Sequence, residues 1–407
     1  MERQIQSATL RLLQYCRENN WAGYDPYDAL NSKLLLAMPV LNARIPRIAM
    51  TQALKRSPVN VRSLLAIPKT QNPKGLALFL SALIEMERTR LHDQQELRQL
   101  AVFMIERLRE LRSPGVPYWC WGYSFPWQTR TIVVPLGAPN LVCTTFVANA
   151  LLDVFDYCKD SRCLDMAASA AEYIVDQLYW EDCEAVGFSY PLPSLRSQVH
   201  NANLLASALL CRVYAHTHDA KLLRPSLRAA RYSAGKQRPN GSWPYGEAPS
   251  QQWIDNFHTG YNLCALQAIG EYAATAEFSG VTQRGFEFYK NHFFRENNSV
   301  RYFHNRNYPI DIHCVAQSII TLAEFRAMDP GNIALAHSVL EWALTHLWDD
   351  RGFFYYRRMR SLTNRISYMR WSQAWMLFAM TKLLRGSMSI DIQESEQPVT
   401  VARNTHD

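Results

Sequence analysis

A closed ring of six helical hairpins, an all-α (α/α)6 toroid, is the fold class that the sequence predicts. Three observations predict it: a polar-then-apolar helical motif that returns at a nearly fixed interval, a more amphipathic helix before each copy, and a Gly-aromatic loop between the two. A repeat of this length marks a unit that buries its apolar surface only against its neighbours, and closing the array leaves no exposed end.

The motif is clearest in VHNANLLASALL from Val199, FHTGYNLCALQAI from Phe257, IHCVAQSIITLAEF from Ile312 and MRWSQAWMLFAM from Met369. Their second residues, His200, His258, His313 and Arg370, are spaced by 58, 55 and 57 residues. A fifth copy begins at Asn140 and a weaker sixth at Asn72. Apolar residues fall on nearly all sides of these segments, as inner-ring helices buried on both flanks require.

The amphipathic helices are expected near 2–19, 95–111, 162–179, 221–236, 279–294 and 333–348. The intervening loops read GYDPYD from Gly23, GYSFPW from Gly122, GFSYPL from Gly187, GSWPYG from Gly241 and GFFYYR from Gly352, with RYFHNR from Arg301 in the remaining place. Glycine, proline and clustered aromatics punctuate chains in this way at turns. An insertion over about 33–70 is expected to carry a short extra helix within 44–58. Residues 1–386 then form one toroid, and 387–407, polar and aperiodic, are expected to be a disordered tail.

Composition narrows the function classes. Net charge is +7, but Lys and Arg are spread along the chain without a basic stripe, so no nucleic-acid partner is expected. A phosphorylated or uronic-acid substrate would use the same charge. No window holds the roughly 18 uninterrupted apolar residues of a membrane span. The first helix mixes charge throughout, unlike a secretory signal. The nine cysteines are odd in number and scattered, mostly in apolar helical runs, which reads as reduced thiols and a cytoplasmic location. No H-x3-H, H-E-x-x-H or C-x2-C spacing and no phosphate-binding glycine motif occurs, so neither metal nor cofactor is expected. Oligomeric state is not readable.

The alternating helices resemble the α/α-toroid group of terpenoid cyclases, prenyltransferase β-subunits, N-acylglucosamine 2-epimerases, glycoside hydrolases and polysaccharide lyases. Gln237 to Trp243 fits the Q-x3-G-x-W repeat of the terpenoid cyclases, whose D-x-D-D acid motif is absent. GYDPYDALNS (23–32), WPYGE and WIDNFHTGYN resemble uncharacterised bacterial proteins of polysaccharide biosynthesis. That resemblance implies a carbohydrate-active enzyme of epimerase, lyase or glycosidase type acting on a sugar or uronic acid. The alternatives are a terpenoid- or prenyl-handling toroid and a non-catalytic glycan-binding scaffold.

In such a ring all outer-to-inner loops open on one mouth, so inner-helix starts surround one pocket. His200, His258 and His313 are expected to meet there as proton donors and acceptors. Asp255 is expected to orient His258 or to cap the helix, as Asp does well. Asp25 and Asp28 form a paired-carboxylate candidate in a loop whose analogues are aromatic. Asn201, Trp243, Tyr245, Tyr261 and Trp371 are expected to line the mouth with stacking faces and hydrogen bonds for a sugar. Arg370, where the other copies have histidine, is expected to hold a carboxylate or phosphate.

Overall fold

Four of the six inner helical segments begin where an apolar run follows a side chain able to accept from the first turn. Asn72, Asn140, Asp255 and Asp311 each take a backbone N–H at such a start, satisfying one of the orphan donors there. In the computed structural model, which describes residues 2–38 and 43–395, the helices are α1 (Glu2–Glu18), α2 (Lys33–Leu36), α3 (Arg44–Arg56), α4 (Pro73–Arg88), α5 (Gln94–Glu110), α6 (Leu141–Cys158) and α7 (Ser161–Tyr173). There follow α8 (His200–Thr217), α9 (Ala220–Gly235), α10 (Asn256–Tyr272), α11 (Ser279–Phe293), α12 (Ile312–Glu324), α13 (Gly331–His346) and α14 (Trp375–Ser395).

The even-numbered helices from α4 to α14 form the inner ring, each packed on the next, and α14 closes it against α4. The fold is the predicted (α/α)6 toroid. Each inner helix also packs on the outer helix that follows it: α4 with α5, α6 with α7, α8 with α9, α10 with α11 and α12 with α13. The sixth pair is α14 with α1, so the chain start covers the last inner helix. Short connections lie at one mouth and the long aromatic loops, several folded as two-residue hairpins, at the other.

Burial follows this layering. Every residue of α4 from Pro73 to Glu87 is buried, while outer helix α5 buries only Leu97, Ala101, Met104, Ile105 and Leu108. Each fully buried Leu or Phe contributes about 1.5–3 kcal/mol, so the inner ring carries most of the apolar stabilisation. Inner helix α6 is long and apolar enough to cross a membrane by length and composition alone, but Thr144, Thr145, Asn149, Asp153 and Asp156 interrupt its apolar run and it packs between α4 and α8. Cys158 and Cys183 are exposed, and all nine cysteines are unpaired.

At the chain's margins one expectation is met and one changes. The insertion does carry an extra helix, α3, which with α2 caps the loop-bearing mouth. The tail boundary moves, because α14 runs on to Ser395. The rest of the expected tail lies outside the described residues.

Phe146, Tyr261 and Trp375 pack on one another, with ring centroids 5.3–5.9 Å apart, and form a plug across the bore. On the short-connection side lies a cavity of about 350 Å³ lined by ion-paired groups that include Glu85, Asp153, Arg212, Glu324, Lys382 and Arg385. On the other side lies the mouth of the long loops.

Ring closure brings the first loop onto the last inner segment. Tyr24 O accepts from Met369 N at 3.3 Å, and a Cβ on Gly23 would sit 2.6 Å from Met369 Cβ. Gly23→Ala is expected to destabilise the protein by about 1–3 kcal/mol through this overpacking, read from urea denaturation. An unchanged midpoint would show that the contact yields easily.

Candidate active site

Six side chains at the second residue of the inner helical segments face one cavity of about 350 Å³: Lys74, Val142, Asn201, Phe257, His313 and Arg370. Lys55 from the insertion, and Tyr27, Tyr123, Tyr190, Tyr245 and Trp253 from the loops, also line it. Arg370 and Trp371 enter from a turn of π-helix, Met369–Ala374, that precedes α14. Such turns re-aim side chains and recur at functional sites.

This register corrects the predicted histidine ring. Measured from the helix starts, His200 is the first residue of α8, His313 the second of α12 and His258 the third of α10. One residue rotates a side chain by about 100°, which turns His200 out of the mouth toward α9. It is fully buried, with Nδ1 3.4 Å from Ser233 Oγ and no partner within the protein for Nε2. Burial lowers its pKa from 6.5 to about 4. His200 is therefore a packing residue, and Asn201 takes the cavity position.

His258 and Asp255 do meet. Asp255 caps α10 by accepting His258 N at 3.0 Å on Oδ1, and its Oδ2 accepts His258 Nδ1 at 2.7 Å and Trp253 Nε1 at 3.0 Å. One carboxylate thus fixes both the helix start and the imidazole. The buried Asp255 holds Nδ1 as the donor, which leaves Nε2 of the partly exposed His258 as a lone-pair site in the cavity. The ring rests on Tyr245 at 4.6 Å.

His313 forms a second polar pair. Its Nε2 lies 2.6 Å from Tyr261 Oη, and the ring is stacked between Phe257 and Trp375 with centroids 4.7 and 4.5 Å away. Burial, then Lys74, Arg370 and His258, lowers its pKa well below the usual range, so the imidazole is neutral. The His313–Tyr261 pair can pass a proton in either direction, since each partner is both donor and acceptor.

The predicted carboxylate pair serves another purpose. Asp25 takes both Nε and Nη2 of Arg370, at 2.6 and 2.8 Å, while Asp28 takes Arg62 Nε at 2.8 Å and Asp25 N at 2.9 Å. Burial raises the Asp28 pKa to about 6 against the lowering effect of Arg62. Neither carboxylate lines the cavity. Asp311 is likewise tied, to Arg357, Trp371 Nε1 and His313 N. Asp255 is the one carboxylate in the cavity wall described.

Tyr245, Tyr261, Arg370 and Trp371 line the cavity as predicted, and Trp243 does not. Trp243 is buried, donates Nε1 to Ser233 O at 3.0 Å and lies against Gly285. The Q-x3-G-x-W match is structural: Gln237 Nε2 binds Gly241 O and Val281 O, and Gly241, at φ +86°, sits where a Cβ would meet Arg284 O at 2.3 Å. Among the cavity residues that escaped the sequence reading are two lysines, Lys55 and Lys74. Aligning the capping residues Asn72 and Asp311 would have found Lys74, since each cap sets the same second position.

Among the described residues no group of three or more His, Cys, Asp or Glu side chains comes together as a metal site.

Neutral His200 makes a specific pH prediction. Below about pH 6.5 the unfolded chain binds a proton that the folded imidazole refuses until about pH 4, so this group makes stability rise with pH across that window. His200→Gln is expected to remove on the order of 3 kcal/mol of that dependence, measured by denaturation at stepped pH. Parallel profiles for the two proteins would show that the imidazole is not desolvated.

No family model matches the chain, and no curated protein matches it in sequence. Solved structures do match its fold. Cellobiose 2-epimerase from Bacillus thermoamylovorans is 12% identical with a TM-score of 0.59, over 79% of this chain and 90% of its own. A D-mannose isomerase is 12% identical with a TM-score of 0.57, over 77% and 86%. A family 76 α-mannanase from Bacteroides thetaiotaomicron is 10% identical with a TM-score of 0.60, over 79% and 88%. At these identities the likeness establishes the α/α toroid fold, which the chain shares with them.

Proposed function

We propose that the protein is a carbohydrate-active enzyme that moves a proton beside a sugar carbonyl, an epimerase or isomerase in type. The observation that carries this is His258, anchored through Nδ1 on Asp255 at 2.7 Å with Nε2 free in the cavity. Asp25, Asp28 and Asp311 are each held by an arginine. Glycosidic hydrolysis ordinarily needs two carboxyl groups flanking the bond, whereas proton transfer needs an imidazole within reach of an acidic C–H. An epimerase and an isomerase among the structural neighbours support the same class.

In this mechanism His258 Nε2 takes the proton from the carbon next to the carbonyl of the open-chain sugar, and Asp255 stabilises the imidazolium. Tyr261 Oη, backed by His313, donates a hydrogen bond to the carbonyl oxygen as it gains charge. Return of that proton to the same carbon after the enediolate has turned its other face to His258 epimerises it, and return to the neighbouring carbon, with the hydroxyl proton passing to the former carbonyl oxygen, isomerises the sugar. Tyr245, Trp253 and Trp371 offer faces on which sugar C–H groups stack. The charged and hydrogen-bonding wall favours a sugar over a prenyl chain, and the anchored imidazole favours an enzyme over a scaffold. The unpaired cysteines support a cytoplasmic setting, and the resemblance to polysaccharide-biosynthesis proteins supports a bacterial role there.

Turnover in D2O tests the reading. A substrate aldose is expected to gain a solvent deuteron at the carbon beside its carbonyl, and His258→Ala to slow that exchange about 10²–10⁴-fold. Asp255→Asn is expected to slow it as well, by leaving the imidazole in the wrong tautomer. Glycoside hydrolysis with no exchange, unaffected by His258→Ala, would sink the proposal.

A further inference from the structure

We infer that the substrate of this cavity carries an anionic group, a carboxylate or a phosphate, which Lys74 receives beside Arg370. The inference rests on the reading of the cavity as a sugar site and names the substrate class within it.

Lys74 is 3% exposed and lines the cavity. Its ammonium lies over Phe146 at 3.9 Å, Trp375 at 5.2 Å and Tyr261 at 5.6 Å, on the plug that floors the cavity. No carboxylate or hydroxyl among the described residues pairs with it, which is rare for so deeply buried a lysine. The aromatic faces favour the ammonium but supply no counter-charge.

Its surroundings add positive charge. Lys74 is the second residue of α4, and the starts of all six inner segments point at this mouth, each with the positive end of its dipole. Arg370 is adjacent, with its Cβ 3.4 Å from where a Cβ on Gly75 would lie. Lys55, hydrogen-bonded to Tyr27 Oη at 2.5 Å, adds a third cation from the insertion. Against these the wall has Asp255, already committed to His258, and Asp25 neutralises Arg370 from behind. Burial and then Arg370 press the Lys74 pKa well below its usual value. A bound anion relieves both pressures and restores the ammonium. Arg370 spends Nε and Nη2 on Asp25, leaving Nη1 to share the ligand.

The experiment measures affinity without turnover, by calorimetric titration of the His258→Ala protein with glucuronate, glucose 6-phosphate and glucose. At least one anionic sugar is expected to bind about tenfold or more tightly than glucose, and which one does so identifies carboxylate or phosphate. Lys74→Met is expected to bring that ratio near one, and Lys74→Arg to retain it. Lys74→Gln serves in place of Lys74→Met if the latter fails to fold. Equal affinities in the parent overturn the inference, as does an unchanged ratio in the neutral variants. A sugar adduct on Lys74 after borohydride reduction with an aldose also overturns it, because the amine would then be a nucleophile. Failure of the proton-transfer reading appears separately, as absence of deuterium exchange.

Discussion

The pairing of Asp25 with Arg370, two hydrogen bonds across 345 residues of sequence, is the interaction on which the rest of the site depends. It joins the first loop to the last inner segment, where the ring closes. Both side chains are almost fully removed from water, so neither charge is tolerable without the other; losing one partner of such a pair typically costs about 3–5 kcal/mol. Asp28 and Arg62 extend the constraint, for Arg62 also donates to Asp25 O. Closure of the toroid and placement of the Arg370 guanidinium are therefore one event.

Closure also sets the electrostatics. Because the inner helices are parallel, their starts converge on the long-loop mouth and their ends on the opposite one. Carboxylates sit where the dipoles are positive, as Asp255 and Asp311 do at the starts of α10 and α12. At the opposite mouth Arg212 near the end of α8, and Lys382 and Arg385 along α14, meet both the negative helix ends and the carboxylates Asp153, Glu324 and Glu85. At the long-loop mouth the caps double as site residues. Asp255 holds a helix start with one oxygen and an imidazole with the other, so the geometry of His258 is as rigid as the helix itself.

Much of this was legible in the sequence, and what was not has a physical cause. The helices and their order follow from a 3.6-residue period and a long repeat, both local signals, and the outer helices fall within a few residues of their expected spans. The histidines were another matter. His200, His258 and His313 align by residue type, but the ring position is set by the cap, and one residue of slip exchanges His200 for Asn201. Lys74 was hidden because the repeat at Asn72 is the weakest and carries no histidine to draw notice. Asp25 and Asp28 looked like a hydrolytic pair because their partners, Arg370 and Arg62, lie far along the chain, and periodicity carries no information about such pairings.

The unmet polar groups near the mouth point to the same place. His313 Nδ1, Asn201 Oδ1 and Trp127 Nε1 are buried without hydrogen-bond partners in the protein, and each belongs to a residue of the cavity wall. A buried polar atom left unpaired costs about 1–3 kcal/mol, so a fold that concentrates several beside an unpaired Lys74 gives up stability there. Unpartnered polar atoms also occur elsewhere in the inner ring, at Thr145 Oγ1, His200 Nε2 and Asn262 Oδ1, while Asn256 pairs with Tyr289 and Ser318. What sets the cavity apart is that its unmet atoms belong to residues lining an open volume beside Lys74. The toroid supplies the rigidity that makes such a concession tolerable, because Lys74, Asn201 and His313 are mounted on different helices of a closed ring.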